Sequence, residues 1–177
     1  KNGKWSLRRA EGETMVLSAG IQTEAQLRLA LEPAQPLVVF GKDGLSRKGA
    51  DPSACSWYLT FPRLRVSGEL EYNGRSVAVT GEAWMDHEIS SSQLGREQVG
   101  WDWLSVRLDD GSAMMVYILR DADGQPDPHS TLAWVDQEGR LHHMDPSRFS
   151  WSSRGDWTSP ETGITYPIDV TLQGTRP

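Results

Sequence analysis

Trp84-Met85-Asp86-His87-Glu88 gathers an indole, two carboxyls and an imidazole in one short stretch, and these are groups suited to general acid–base work. If the stretch is extended, the period of two puts Trp84, Asp86 and Glu88 on one face and Met85 and His87 on the other. Asp86 and Glu88 then form a same-face carboxyl pair. In an apolar pocket, desolvation and like-charge repulsion would keep one of the two protonated near neutrality, as a general acid. The plainer alternative is that both sit at a strand end and hydrogen-bond loop amides. His87 faces away from the pair, so an Asp86–His87 couple would need a bulge.

Trp101-Asp102-Trp103 places two indoles on one face with Asp102 opposite. Strand aromatics usually pack a core; these two could instead line a cavity for a flat apolar ligand or shield a developing carbocation with their π faces. His142-His143 is a poor metal pair, because neighbours on a strand point to opposite faces. No His-Glu-x-x-His occurs and the single cysteine, Cys55, excludes thiolate clusters and internal disulfides, so no metal and no cofactor is expected. Ser90-Ser91-Ser92 lacks the Gly-x-Ser-x-Gly elbow of a serine hydrolase.

The elements that must position these groups read as strands. No long stretch keeps a helical apolar period, and 17 Gly and 10 Pro punctuate the chain. Gln26 to Leu31 alternates, with Leu27, Leu29 and Leu31 on one face; Leu37 to Phe40 is a shorter run. Gly41 to Ser53 reads as a long loop before Cys55 to Phe61. Arg63 to Tyr72 and Arg75 to Asp86 flank Asn73-Gly74, a strong hairpin signal because a type I′ turn needs positive φ at both central residues. Trp101 to Leu108, Ala113 to Arg120, Thr131 to Asp136 and Arg140 to Met144 follow, separated by Asp-Gly and Glu-Gly turns. Turns at roughly 8 to 14 residue intervals suit an up-and-down antiparallel barrel or a sandwich, of which the barrel is preferred. Ser90 to Val99 is polar and does not alternate, which makes it the candidate boundary between two β units.

With 177 residues, the chain can hold one sizeable domain or parts of two. A net charge of -6 and no basic stripe argue against nucleic acid. No apolar run approaches the roughly 18 residues of a membrane-spanning helix and no signal-peptide core is visible, so the chain as given reads as soluble. Eight Trp in a chain of mean hydropathy -0.52 suit half-exposed sheets or a lined cavity.

Gly81-Glu-Ala-Trp-Met-Asp-His-Glu88 followed by Gly100-Trp-Asp-Trp-Leu-Ser-Val-Arg-Leu-Asp-Asp-Gly111 resembles the carotenoid 1,2-hydratase (hydroxyneurosporene synthase)/AttH family of lipocalin-like proteins. Gly44-Leu-Ser-Arg-Lys-Gly49, Ser56-Trp-Tyr58 with Arg63-Leu64, Leu119-Arg120 and Tyr166-Pro167 extend the likeness over most of the chain. Leu59-Thr60-Phe61-Pro62 and Ile89 depart from the family pattern. The resemblance implies two consecutive lipocalin-like (calycin) barrels in proteins about twice this length. Residues 1–95 would be the later part of the first barrel and 96–177 the early part of the second. It also implies a bacterial protein that is periplasmic, secreted or membrane-associated, with the rest of a longer chain or an oligomer partner supplying the missing strands.

Three functions fit. A hydratase acting on an apolar, isoprenoid-like substrate would use Asp86 as acid, His87 or Glu88 as base, and Trp84, Trp101 and Trp103 as the shield. A non-catalytic lipid-binding protein beside an ABC transporter would use the same Trp set, with Tyr58 and Tyr117, as a pocket lining. A barrel guiding a cyclisation by shape alone would need no acid.

Overall fold

The computed structural model of the chain describes residues 4–21, 24–92 and 94–175. Within these the regular structure is antiparallel β, apart from one short 3₁₀ turn at Pro146–Arg148. Contacts divide the chain into two units: the residues up to Val39 with Tyr58–Glu88, and Phe40–Trp57 with the residues from Ile89 onward.

In the first unit, β1 (Ser6–Arg9), β2 (Met15–Ile21) and β3 (Ala25–Pro33) form successive antiparallel pairs. Leu27, Leu29 and Leu31 are covered while Gln26 and Arg28 are exposed, the alternation expected of a half-buried strand. β4 (Val38–Val39) belongs here too. β5 (Leu45–Arg47) lies in the second unit, inside the stretch expected to be all loop, because its three residues pair with Cys55–Trp57.

β6 (Cys55–Tyr72) is one continuous strand where the sequence suggested two. Its partners explain how Pro62 is accommodated. Leu64 onward pairs with β3 and Leu59-Thr60 with β4, so Pro62 falls opposite the interval between Pro33 and Val38, where no ladder donor is needed. β7 (Arg75–Ser90) returns alongside β6 across Asn73-Gly74, whose φ values of 50° and 72° are those the hairpin requires. Tyr58, Thr60 and Leu64 are buried along β6.

The second unit is built on a four-stranded meander: β8 (Gln98–Arg107), β9 (Ala113–Asp121), β10 (Thr131–Val135) and β11 (Leu141–Met144). β9 is buried on both faces, so its apolar run is nearly continuous rather than alternating. On one face Val116, Ile118, Leu132 and Met144 form a cluster, each contributing roughly 1.5–3 kcal/mol by leaving water. Covering that cluster are Phe149 and Trp151 of β12 (Phe149–Thr158) and Leu172 of β13 (Thr165–Gly174). A two-stranded hairpin is marginal alone, and these three side chains are its anchors. Farther along, the Trp157 and Tyr166 rings lie 5.9 Å apart and remain exposed.

Candidate functional site

Asp86 sits near the end of β7, and the extended backbone does place Trp84 beside it. The Trp84 indole Nε1–H donates to Asp86 Oδ1 at 2.8 Å, and the fully buried Thr60 hydroxyl of β6 donates to the same oxygen at 2.5 Å. Two donors fix this carboxyl through Oδ1. His87 is exposed, whereas Glu88 is half-buried. These groups line neither of two clefts present among the described residues. One of those clefts, about 560 Å³, is a polar surface feature of the first unit over β2, β3 and β6.

The other cleft belongs to the second unit and is built on β9's second face. Residues directly opposed in an antiparallel ladder share a face, so the registers Trp103↔Tyr117↔Thr131 and Met115↔Ala133↔His143 collect Trp103, Tyr117, Met115, Thr131 and His143 on one side of the meander. Trp101 opposes Leu119 on the same side. Residues 40–57 fold over part of this face. The Ser46 hydroxyl lies 3.1 Å from the Tyr117 hydroxyl, and Lys48, only 6% exposed, places its ammonium 4.0 Å above the Tyr117 ring. A cation desolvated against an aromatic face is worth up to about 2 kcal/mol.

Gly41 turns this segment. Its φ of 81° is left-handed, and a Cβ there would lie 2.2 Å from the Leu45 carbonyl oxygen. Its N–H donates to His143 Nε2 at 3.0 Å, so the neutral ring carries its proton on Nδ1. Crowding around His143, including the edge of Phe40, disfavours the charged form and lowers its pKa although part of the ring meets solvent.

Between the covering segment and the sheet lies a cleft of about 800 Å³ with mostly apolar walls, including Trp57, Tyr117, Leu45 and Pro128, and with His129 and His143 among its polar groups. His129 is held by Asp127: the carboxylate accepts the His129 backbone N–H at 2.7 Å and lies 2.8 Å from Nδ1. Desolvation pushes the Asp127 carboxyl up, but bonds from the His129 backbone, Gln98 and the His129 ring outweigh it and keep the group below its ordinary range. The same Gln98 donates to the Lys48 carbonyl at 2.6 Å, tying the dyad to the covering segment.

A family model described as AttH-like matches residues 1–176. The chain belongs to the AttH-like family. The crystal structure of an AttH-assigned protein from Nitrosomonas europaea superposes with a TM-score of 0.87 at 33% identity, covering 96% of this chain and 52% of that one. Kievitone hydratase from Nectria haematococca gives a TM-score of 0.76 at 13% identity over 99% of this chain and 54% of that one, a likeness of fold alone. The ceramide-binding protein svf1 of Schizosaccharomyces pombe is 26% identical over 103 residues, which is 56% of this chain and 27% of that protein. The AttH-like chain thus has the all-β, lipocalin-like fold expected of it and spans about half the length of the two crystal structures.

Of the residues singled out in this AttH-like sequence, the structure brings Trp84 and Asp86 into direct contact and sets Tyr117 in the cleft wall. Trp101 and Trp103 share the Tyr117 face at 49% and 42% exposure, while Tyr58 is buried in the first unit. Sequence reasoning did not assemble Ser46, Trp57, His129 and His143. The one available signal was strand alternation at His142-His143. It sends the two rings apart: His142 pairs with Asp136 at 3.2 Å, and His143 lines the cleft. Among the described residues no group of three or more His, Cys, Asp or Glu is placed to hold a metal ion.

Proposed function

We propose that this AttH-like chain is part of a lipocalin-like protein that binds an apolar, lipid- or isoprenoid-like molecule, seated in the cleft lined by Trp57, Tyr117 and His143. The observation that carries the reading is the cleft itself. Its volume of about 800 Å³ falls in the range that small-molecule sites occupy, and its apolar walls carry a few convergent polar groups, the usual composition of such sites. The ceramide-binding relative points to the same ligand class. Native mass spectrometry after incubation with a long-chain ceramide tests it: the wild type should retain one adduct, and Trp57→Ala with Tyr117→Ala should lose it. A wild type that retains no adduct would overturn the proposal.

A second reading, acid-catalysed hydration of a C=C bond, is favoured by the fixing of Asp86 Oδ1 by Thr60 and Trp84. Protonated Asp86 would deliver its proton from Oδ2 to carbon, the Trp84 face would stabilise the cation, and His87 or Glu88 would take a proton from the attacking water. Asp86→Asn should then abolish turnover and leave ligand binding intact; full activity in that variant would remove Asp86 from the acid role.

The same proposal places the chain within a longer two-barrel protein or an oligomer. Residues 1–95 and 96–177 would supply parts of successive barrels, in a bacterial protein that is exported or held near the membrane beside a transporter.

A further inference from the structure

We infer that residues 41–45 form a pH-sensitive flap in the wall of the second-unit cleft, held against β11 while His143 is neutral and released when that ring takes up a proton. The inference does not depend on which molecule the cleft accepts. It rests on how the turn is fixed. Both flanks are packed: Phe40 is 1% exposed and Ser46 3%, with the Ser46 hydroxyl 3.1 Å from that of Tyr117. Between them Gly41, Asp43 and Gly44 have left-handed φ values of 81°, 55° and 87°, and the Leu45 N–H closes the turn on the Lys42 carbonyl at 3.0 Å. Gly41, Lys42, Asp43 and Leu45 all line the cleft, so a movement of this turn reshapes its wall.

The turn meets β11 through the Gly41 N–H, which donates to His143 Nε2 at 3.0 Å. A neutral imidazole can accept there, whereas an imidazolium carries a proton on both nitrogens and can only donate. Protonation thus sets one N–H against another, and the turn must draw away before water can satisfy both. Part of His143 is exposed, which lets the proton arrive without unfolding. The charged and titratable groups around the ring are Lys42 and Asp43 of the turn itself, Arg47 of β5, His129 with its Asp127 partner before β10, and Asp145 after β11. Lys48 lies over the Tyr117 ring, and His142 is taken up by Asp136. Burial is what lowers the His143 pKa. The ring is therefore neutral and the flap closed at pH 7.5; the flap opens as pH falls through a folded value below the ordinary 6.5.

Amide exchange followed by NMR on the whole chain between pH 7.5 and pH 5, corrected for the intrinsic pH dependence of exchange, tests this. The reporter is the Leu45 N–H, whose acceptor is Lys42 and not His143. Its protection should fall roughly five- to tenfold, the worth of about one hydrogen bond, with the midpoint at which the His143 ring itself titrates, while the Val116 and Ile118 amides of β9 keep theirs. His143→Phe, which accepts no hydrogen bond at any pH, should show the low protection throughout. His143→Gln, whose side-chain carbonyl does not titrate, should lose the pH dependence. Leu45 protection that stays constant through the His143 titration would overturn the inference, and so would a pH-dependent loss of the same size in either variant. One folded variant is enough to decide, so the failure of the other to fold leaves the test standing.

Discussion

Replacing Gly41 by Ala strikes the turn on which the cleft depends. At φ 81° an L-residue pays roughly 1–2 kcal/mol for the left-handed backbone. The new Cβ would also stand 2.2 Å from the Leu45 carbonyl oxygen, which must retreat by about 1 Å to regain ordinary contact. Leu45 cannot retreat cheaply. Its N–H is bonded to the Lys42 carbonyl at 3.0 Å, and β5 is paired with Trp57 through it. Weakening one such bond adds about 1 kcal/mol, for a total near 2–3 kcal/mol, and for a chain of this size a fall in melting temperature on the order of 10 °C. Gly124→Ala is the matched control, because Gly124 has φ 75° with nothing within 4 Å of its would-be Cβ. It should cost the backbone strain alone, roughly 1–2 kcal/mol. Thermal melts followed by Trp fluorescence compare the two. Melting temperatures within a degree of each other would refute the argument that the Leu45 contact holds the turn.

Three further outcomes follow from the same geometry. His143 has a folded-state pKa below its ordinary 6.5, so the stability it contributes is complete above that pH and is lost as pH falls through the folded value; urea denaturation at pH 7.5 and pH 5 should show a larger loss in wild type than in His143→Gln, and equal losses would discount the ring. Asp86→Ala should cost about 1–3 kcal/mol in urea denaturation, because the buried Thr60 hydroxyl and the Trp84 N–H both lose their acceptor, whereas Asp86→Asn keeps an oxygen there and should cost less than about 1 kcal/mol; identical effects would mean that those bonds do not hold β7. Leu132→Ala, in the cluster under Trp151 and Leu172, should cost about 2–5 kcal/mol and expose the β12–β13 amides to exchange; unchanged protection there would mean that the hairpin is not anchored on that cluster.

The strands that could be read in advance were those whose signal is local. Leu27, Leu29 and Leu31 alternate because one face of β3 is covered, and Asn73-Gly74 announces its own turn. β5 was hidden because three residues inside a Gly-rich segment become a strand only by pairing with Cys55–Trp57. β12 was hidden because Ser152, Ser153, Arg154 and the left-handed Gly155 interrupt the apolar period that Phe149 and Trp151 begin. Trp84 and Asp86 were placed together correctly because two residues along an extended strand are neighbours by covalent geometry. The cleft was not legible, since Gly41, Trp57, Tyr117, His129 and His143 meet only through ladder registers and a covering segment, neither of which a single sequence states.

Adjacent histidines in β11 serve two unrelated tasks, one on each side of the sheet, and the five residues from Asp136 to Arg140 decide which does which. That loop is closed by Asp136, whose N–H donates to the Arg140 carbonyl and whose carboxylate accepts the Arg140 N–H. Deleting one residue there would slip β11 by one position, carry His142 into the cleft and turn His143 toward the opposite face. Composition would hardly change, yet the ring that meets the Gly41 N–H would leave the cleft wall. The length of an exposed hairpin loop that touches no ligand is therefore as tightly constrained as the chemistry of the cleft it keeps in register.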